Sequence, residues 1–223
     1  MKLAEASLVP IFATPFGTVQ LQDAEVHNNE LRQLIDERAT ADYRAPLLAV
    51  NPLCFHSRDD FLEWADPPVQ TLKRQMLSGV TSIVAAANLY TVEEFDALRL
   101  QVRGWFTLVR QYGGISANSY SHTSWCAVYC VAAPERADQR PDSGALRLYE
   151  SRLATSFVDA STWRMRPPFG HGHYLWQPMP GHMVVFPASI PHEVAPLRAA
   201  GSLALVTVQV QFATPQQQSM QPW

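Results

Sequence analysis

From Trp105 onward the chain breaks into short apolar runs that cannot be helices of useful length: Trp105–Val109, Trp125–Val131, Ala145–Tyr149, Met183–Phe186 and Leu203–Phe212. Turn signals such as Arg140-Pro141-Asp142-Ser143-Gly144 and Met179-Pro180-Gly181 separate them. Short strands at this spacing must pair into a sandwich or barrel to satisfy their backbone groups. Seventeen prolines spread through 223 residues argue against a helical bundle. The front end has a different texture. Ala24 to Arg38 carries Leu31, Leu34 and Ile35 on one face, with Asp23 placed to cap it. A second helix starts at Pro68 and bears Val69, Leu72, Met76, Val80 and Ile83. Thr91-Val92-Glu93-Glu94 is a capping box opening a third helix with Phe95, Leu98 and Val102. Leu8 to Phe16 reads as an extended opening segment. The expected fold class is mainly β with flanking helices (α+β), in one domain. Residues 1–104 form a helical buttress and opening strands, 105–213 the β core, and 214–223 a polar tail.

Charge narrows the function classes. A net charge of −3 and a pI near 6.1, with no run of Lys or Arg, give no footprint for nucleic acid. No apolar stretch approaches the length of a membrane span. The N-terminal segment is broken by Pro10 and Pro15 and carries Glu5, so it lacks the apolar region of a secretory signal. A cytoplasmic location is the expectation. Cys54, Cys126 and Cys130 are odd in number and lack CxxC spacing, which fits buried free thiols.

Of seven histidines, two stand where strands begin or end. His122 precedes the run Trp125–Val131, and His192 follows a strand closed by Pro187. Neutral imidazoles at adjacent strand rims can fill two corners of an open metal site. Spacing alone leaves open that each is a surface or core histidine. Gly170-His171-Gly172-His173 is an i, i+2 pair in a loop, His182 lies in a turn, and His56 reads as structural near the helical layer.

Several stretches resemble the Fe(II)/2-oxoglutarate oxygenase superfamily, and within it a bacterial branch of 2-oxoglutarate oxygenases. Gly181-His-Met-Val-Val-Phe186 followed by His192-Glu193-Val194 is similar to that superfamily's "G-x-hydrophobic-hydrophobic-F" turn and its "H-x-V" metal histidine. Ser143 to Arg152 resembles the branch's "G-x-L-x-F-x-D-P-R" strand. His122-Thr123-Ser124 with Val128-Tyr129-Cys130-Val131-Ala132-Ala133-Pro134 resembles its "H-P-x-S … G-V-Y-Y-V-x-x-P". Phe55-His56-Ser57 and Gly104-Trp105 are similar to its "W-H-S" and central "W". The resemblance implies a double-stranded β-helix (jelly-roll, cupin-like) core with ferrous iron at its open end. It implies O2 and 2-oxoglutarate as cosubstrates, and His122 and His192 as metal ligands.

The chain also departs from the pattern. The carboxylate two residues after the first His is replaced by Ser124; Glu150 matches the Asp of "D-P-R" and becomes the candidate third ligand. An iron with only two protein ligands is the alternative. Tyr120 stands where the branch has an earlier His, and with Tyr129 it is a candidate catalytic side chain. The Arg that grips the 2-oxoglutarate carboxylate is missing from Gly201-Ser202-Leu203-Ala204-Leu205-Val206. Ser202, Arg198, Arg147 and Arg152 are the residues left to bind the cosubstrate, Arg152 sharing a strand face with Glu150. Three functions follow: an iron oxygenase oxidising a C–H bond of a small molecule, a β-helix metalloenzyme that does not use 2-oxoglutarate, or a catalytically silent binding or partner subunit. A homodimer is compatible with each.

Overall fold

The computed structural model describes residues 10, 13–46, 51–135, 140–150, 165, 168–169 and 172–215. Two antiparallel sheets face each other. The larger is built from β1 (Gly17–Gln20), β2 (Cys54–His56), β3 (Arg99–Arg110), β5 (Trp125–Ala132), β8 (His182–Pro187) and β10 (Ser202–Ala213), in the order β1-β8-β5-β10-β3-β2. The smaller holds β4 (Ile115–Asn118), β6 (Leu146–Tyr149), β7 (His173–Trp176) and β9 (His192–Val194), in the order β4-β9-β6-β7. From β3 to β10 the chain crosses between the sheets at every step except β6 to β7, where a pair stays in the smaller sheet. That winding is the expected double-stranded β-helix with helices on one flank.

The larger sheet is buried on both faces, which is why its strands read as unbroken apolar runs and not as alternating ones. Val128, Val184, Phe186 and Leu205 fill the space between the sheets. The neighbouring residues Ala127, Met183, Val185 and Val206 point the other way, onto Leu31 and Ile35 of α1 (Ala24–Arg38) and Met76 and Val80 of α2 (Pro67–Ala86). Tyr129 belongs to this second layer. Its hydroxyl donates to Oδ1 of Asn28 on α1 at 2.7 Å. The helices come close at glycines: a Cβ on Gly79 of α2 would lie 2.6 Å from Met183 Cε.

Three local expectations differ from the structure. Asp23 has φ 50°, a left-handed conformation, and its side chain does not cap α1. The N-cap needs an extended backbone for its carboxylate to reach the first amides, and Asp23 lies outside that region. The capping box is present, with Thr91 Oγ1 accepting from Glu94 N and Thr91 N donating to Glu94. The helix it opens, α3 (Val92–Asp96), is only five residues long. By Arg99 the chain has entered β3, so Val102 is a strand residue. Twelve ladder pairs with β10 outweigh continuation of a weak exposed helix. The strand expected from Trp105 to Val109 is thereby extended at its front to Arg99.

Candidate functional site

The two sheets leave a cavity of about 30 Å³ between them, room for about two water molecules. Its walls include His56, Trp105, Tyr120, Val128, His192 and Thr207. Each side chain is delivered by the period-two alternation of a strand. Trp105 on β3 and Thr207 on β10 are ladder partners, and Val128 on β5 faces Thr207 from the other side.

His192 opens β9 opposite Asn118 of β4, beside an irregularity in that ladder. The ring is 8% exposed. Its Nδ1 lies 2.8 Å from the carbonyl oxygen of Ile190. A carbonyl can only accept, so Nδ1 carries the proton and Nε2 is left as a lone pair. Burial lowers the pKa of this ring, partly opposed by the Ile190 hydrogen bond, which keeps it neutral. Phe186 packs at 5.0 Å on one side of it and Tyr120 at 5.3 Å on another. Tyr120 in turn meets Trp105 at 5.7 Å, so an aromatic row spans the barrel from β8 to β3. The backbone of Tyr120 is tied down through its N–H to the Ala188 carbonyl at 2.8 Å. Burial, and secondarily the neighbouring Cys126, raise the pKa of its phenol, so the hydroxyl stays protonated.

His56 enters the same cavity from β2. Its Nδ1 is 3.1 Å from Thr107 Oγ1 and its Nε2 is 3.8 Å from Cys54 Sγ. Burial lowers the His56 pKa, and burial pushes the Cys54 thiol up to about 11. A thiol with that pKa is no nucleophile at neutral pH. His56, Tyr120, His192 and Thr207 therefore present neutral donors and acceptors to this cavity.

The sequence-expected site residues disperse around this centre. His192 and Tyr120 face the cavity. His122 lies in the loop before β5, exposed, with its backbone carbonyl accepting from the Gln211 amide. Glu150 follows β6, its N–H donating to the Gly172 carbonyl at 2.9 Å. Arg147 is on the outer face of the smaller sheet, paired with Glu193 at 2.5 Å and Asp142 at 3.4 Å. Arg198 donates its backbone N–H to Ser143 Oγ. Ser202 Oγ accepts from Arg32 of α1 at 2.8 Å, on the helical side. Tyr129 also faces the helices. Arg152 and His171 lie outside the described residues.

Sequence reasoning missed His56, Thr207 and, one rung beyond, Arg103 and Gln209. A signal was present in β10: Thr207, Gln209 and Gln211 recur at every second position of an otherwise apolar strand. That alternation marks one face as polar toward one end of the strand.

The expected iron can be tested against these donors. Among the described residues no three His, Cys, Asp or Glu side chains stand close enough to share a metal ion. The cavity offers His56, His192 and the phenol of Tyr120, while Glu193, the carboxylate residue on its wall, is held in an ion pair with Arg147. The described residues do not fit a 2-His-1-carboxylate iron.

No family model and no curated protein matches the chain. Solved structures do. A prolyl hydroxylase from Trichoplax adhaerens, solved with a hypoxia inducible factor peptide, superposes with a TM-score of 0.58 at 13% identity, over 88% of this chain and 83% of that one. A Pseudomonas putida prolyl-4-hydroxylase gives 0.55 at 17% identity, over 89% and 92%. HygX from Streptomyces hygroscopicus, solved with nickel and 2-oxoglutarate bound, gives 0.56 at 12% identity, over 94% and 86%. The winding of the strands and these superpositions agree that the fold of this chain is the double-stranded β-helix of the 2OG-Fe(II) oxygenases.

Proposed function

We propose that this protein binds a small polar molecule in the cavity beside His192, using the oxygenase fold as a binding scaffold. The observation that carries the reading is the chemistry of the cavity wall. Neutral hydrogen-bonding side chains, His56, Tyr120, His192 and Thr207, converge on one space, while His122 and Glu150 lie elsewhere. A concave site with a few convergent polar groups on apolar walls is what small-ligand recognition needs. Tyr120, packed between Trp105 and His192, forms part of the wall of this space. Fold alone does not assign chemistry.

The test is a thermal-shift and NMR screen of small polar metabolites against metal-stripped protein, with His192→Asn and Thr207→Val as controls. Ligands that stabilise the wild type and not the controls support the reading. Stoichiometric uptake of Fe(II) with conversion of 2-oxoglutarate to succinate refutes it.

A second reading has its own support. One solved neighbour, from Burkholderia pseudomallei, is an oxidoreductase of the 2OG-Fe(II) oxygenase family and HygX was solved with nickel and 2-oxoglutarate bound, and His192 holds an imidazole lone pair at the barrel interior. On this reading the protein is an oxygenase using Fe(II), O2 and 2-oxoglutarate on a small molecule. His192 would be joined by His122 and Glu150 after rearrangement. Arg147, Arg152, Arg198 and Ser202 would be the candidates for the cosubstrate, with Tyr120 near the reaction, while Tyr129 faces the helices. The same iron and succinate measurement decides between the two.

A further inference from the structure

The inward face of the larger sheet can be followed rung by rung. Thr107 pairs with Leu205, Trp105 with Thr207, and Arg103 with Gln209, each rung two residues further along the same face. His56, Trp105, Leu205 and Thr207 line the cavity. The next rung, Arg103–Gln209, is continued by Cys126 of β5, which pairs with Gln209 from the other side.

Gln209 is fully buried. Its Oε1 accepts from Arg103 Nε at 2.7 Å. A guanidinium can only donate, so the amide cannot be flipped, and its NH2 is the end that points elsewhere. That Nε2 is buried and has no hydrogen-bond partner. Buried donors left unmet are uncommon, and each calls for an explanation such as an acceptor supplied from outside the protein. Arg103 contacts Asp59 at 3.7 Å, a carboxylate that is 61% exposed.

One rung therefore holds a guanidinium and an amide NH2 with no acceptor. Both are donors, one with a formal positive charge. An oxyanion with two acceptor atoms suits such a set, because charge-assisted hydrogen bonds to a carboxylate are the strong ones. From this juxtaposition we infer that the small molecule bound in the cavity is a carboxylic acid, its carboxylate anchored on Arg103 and Gln209 and its body reaching toward Thr207 and His192. This rests on the binding role proposed above. It places the anion on β3 and β10, away from the four positions read from the sequence as carboxylate binders.

Isothermal titration of the full-length protein with succinate and with its neutral diamide tests the inference. Succinate is expected to bind about tenfold or more tighter than the diamide, the weight of one charge-assisted contact. Arg103→Gln should lose about that factor. Gln209→Glu supplies Arg103 with an internal carboxylate, so it should stay folded and still lose succinate. In labelled protein the Gln209 side-chain amide resonances should shift on adding succinate. Equal binding of diamide and succinate overturns the carboxylate assignment while leaving a neutral-ligand cavity intact. Undiminished succinate binding by a folded Gln209→Glu variant overturns the location. Failure of both compounds with the wild type overturns the inference, and the metabolite screen separately decides whether the cavity binds anything.

Discussion

Tyr129→Phe separates the two faces of the larger sheet. Tyr129 is 1% exposed and Asn28 is 7% exposed, and the hydroxyl of one donates to the amide oxygen of the other at 2.7 Å. Deleting the hydroxyl removes a hydrogen bond worth about 1 kcal/mol net and leaves Asn28 Oδ1 without its donor, for a total near 2 kcal/mol. For a chain of this size that is a fall in Tm of roughly 4–8 °C. Equilibrium urea unfolding should show the loss as a lower midpoint at unchanged slope. The double variant Tyr129→Phe with Asn28→Leu should recover most of it, because both polar partners are then gone. Burial also pushes the Tyr129 phenol up to about 12. The folded state thus keeps a proton that the unfolded chain releases near pH 10, and stability contributed by Tyr129 is lost as pH rises from 10 toward 12. Tyr129→Phe should flatten that slope. Ligand binding in the cavity should be unchanged, since Tyr129 faces α1. Unaltered stability together with lost ligand binding would refute the assignment of Tyr129 to the helical layer.

Burial lowers the pKa of both His56 and His192. The unfolded chain therefore binds protons more readily, and stability should fall as pH drops through 6.5 and below. A Tm profile from pH 7.5 to 5 should show the decline, and a His56→Asn, His192→Asn double variant should be flatter. Gly104→Ala would put a Cβ 2.8 Å from Leu62 Cδ1 and 3.0 Å from the Thr207 carbonyl. Overpacking there should cost about 1–3 kcal/mol by urea unfolding. Thr91→Ala removes the capping box of α3, which should cost about 1 kcal/mol locally. Faster hydrogen exchange over Val92–Asp96, with little change in the global midpoint, is the expected result.

What the sequence made legible follows from which signals are local. Leu31, Leu34 and Ile35 announce α1 because a helix repeats its face every three or four residues within one short segment. His192 stood out because Pro187 and Pro191 punctuate the chain around it, and the fold does turn there into β9. The faces of the larger sheet were harder. Strands with both faces buried lose the alternation that tells in from out, so Tyr129 and Phe186 look equivalent in sequence though they point to opposite layers. His56 read as structural because nothing local reveals that three-residue β2 joins the end of the sheet beside Thr107. The pairing of Arg103 with Gln209 spans 106 residues, and no spacing rule reaches that far. His122 and His192 were linked through sequence motifs alone, while the position of a loop side chain is set by tertiary contacts such as that of Gln211 with the His122 carbonyl.

The place of β10 has a consequence for how the protein is made. This strand, the last in the described chain, sits in the interior of the larger sheet, with β3 on one side and β5 on the other. During synthesis β3 (from Arg99) and β5 (from Trp125) emerge well before β10, which starts only at Ser202 and must come between them. Until residue 213 clears the ribosome they expose edges that can pair with each other or with a neighbouring nascent chain. Final closure is then a long-range insertion, the slow kind of step. Expression yield should accordingly depend more on what shields those waiting edges than on the stability of the finished barrel.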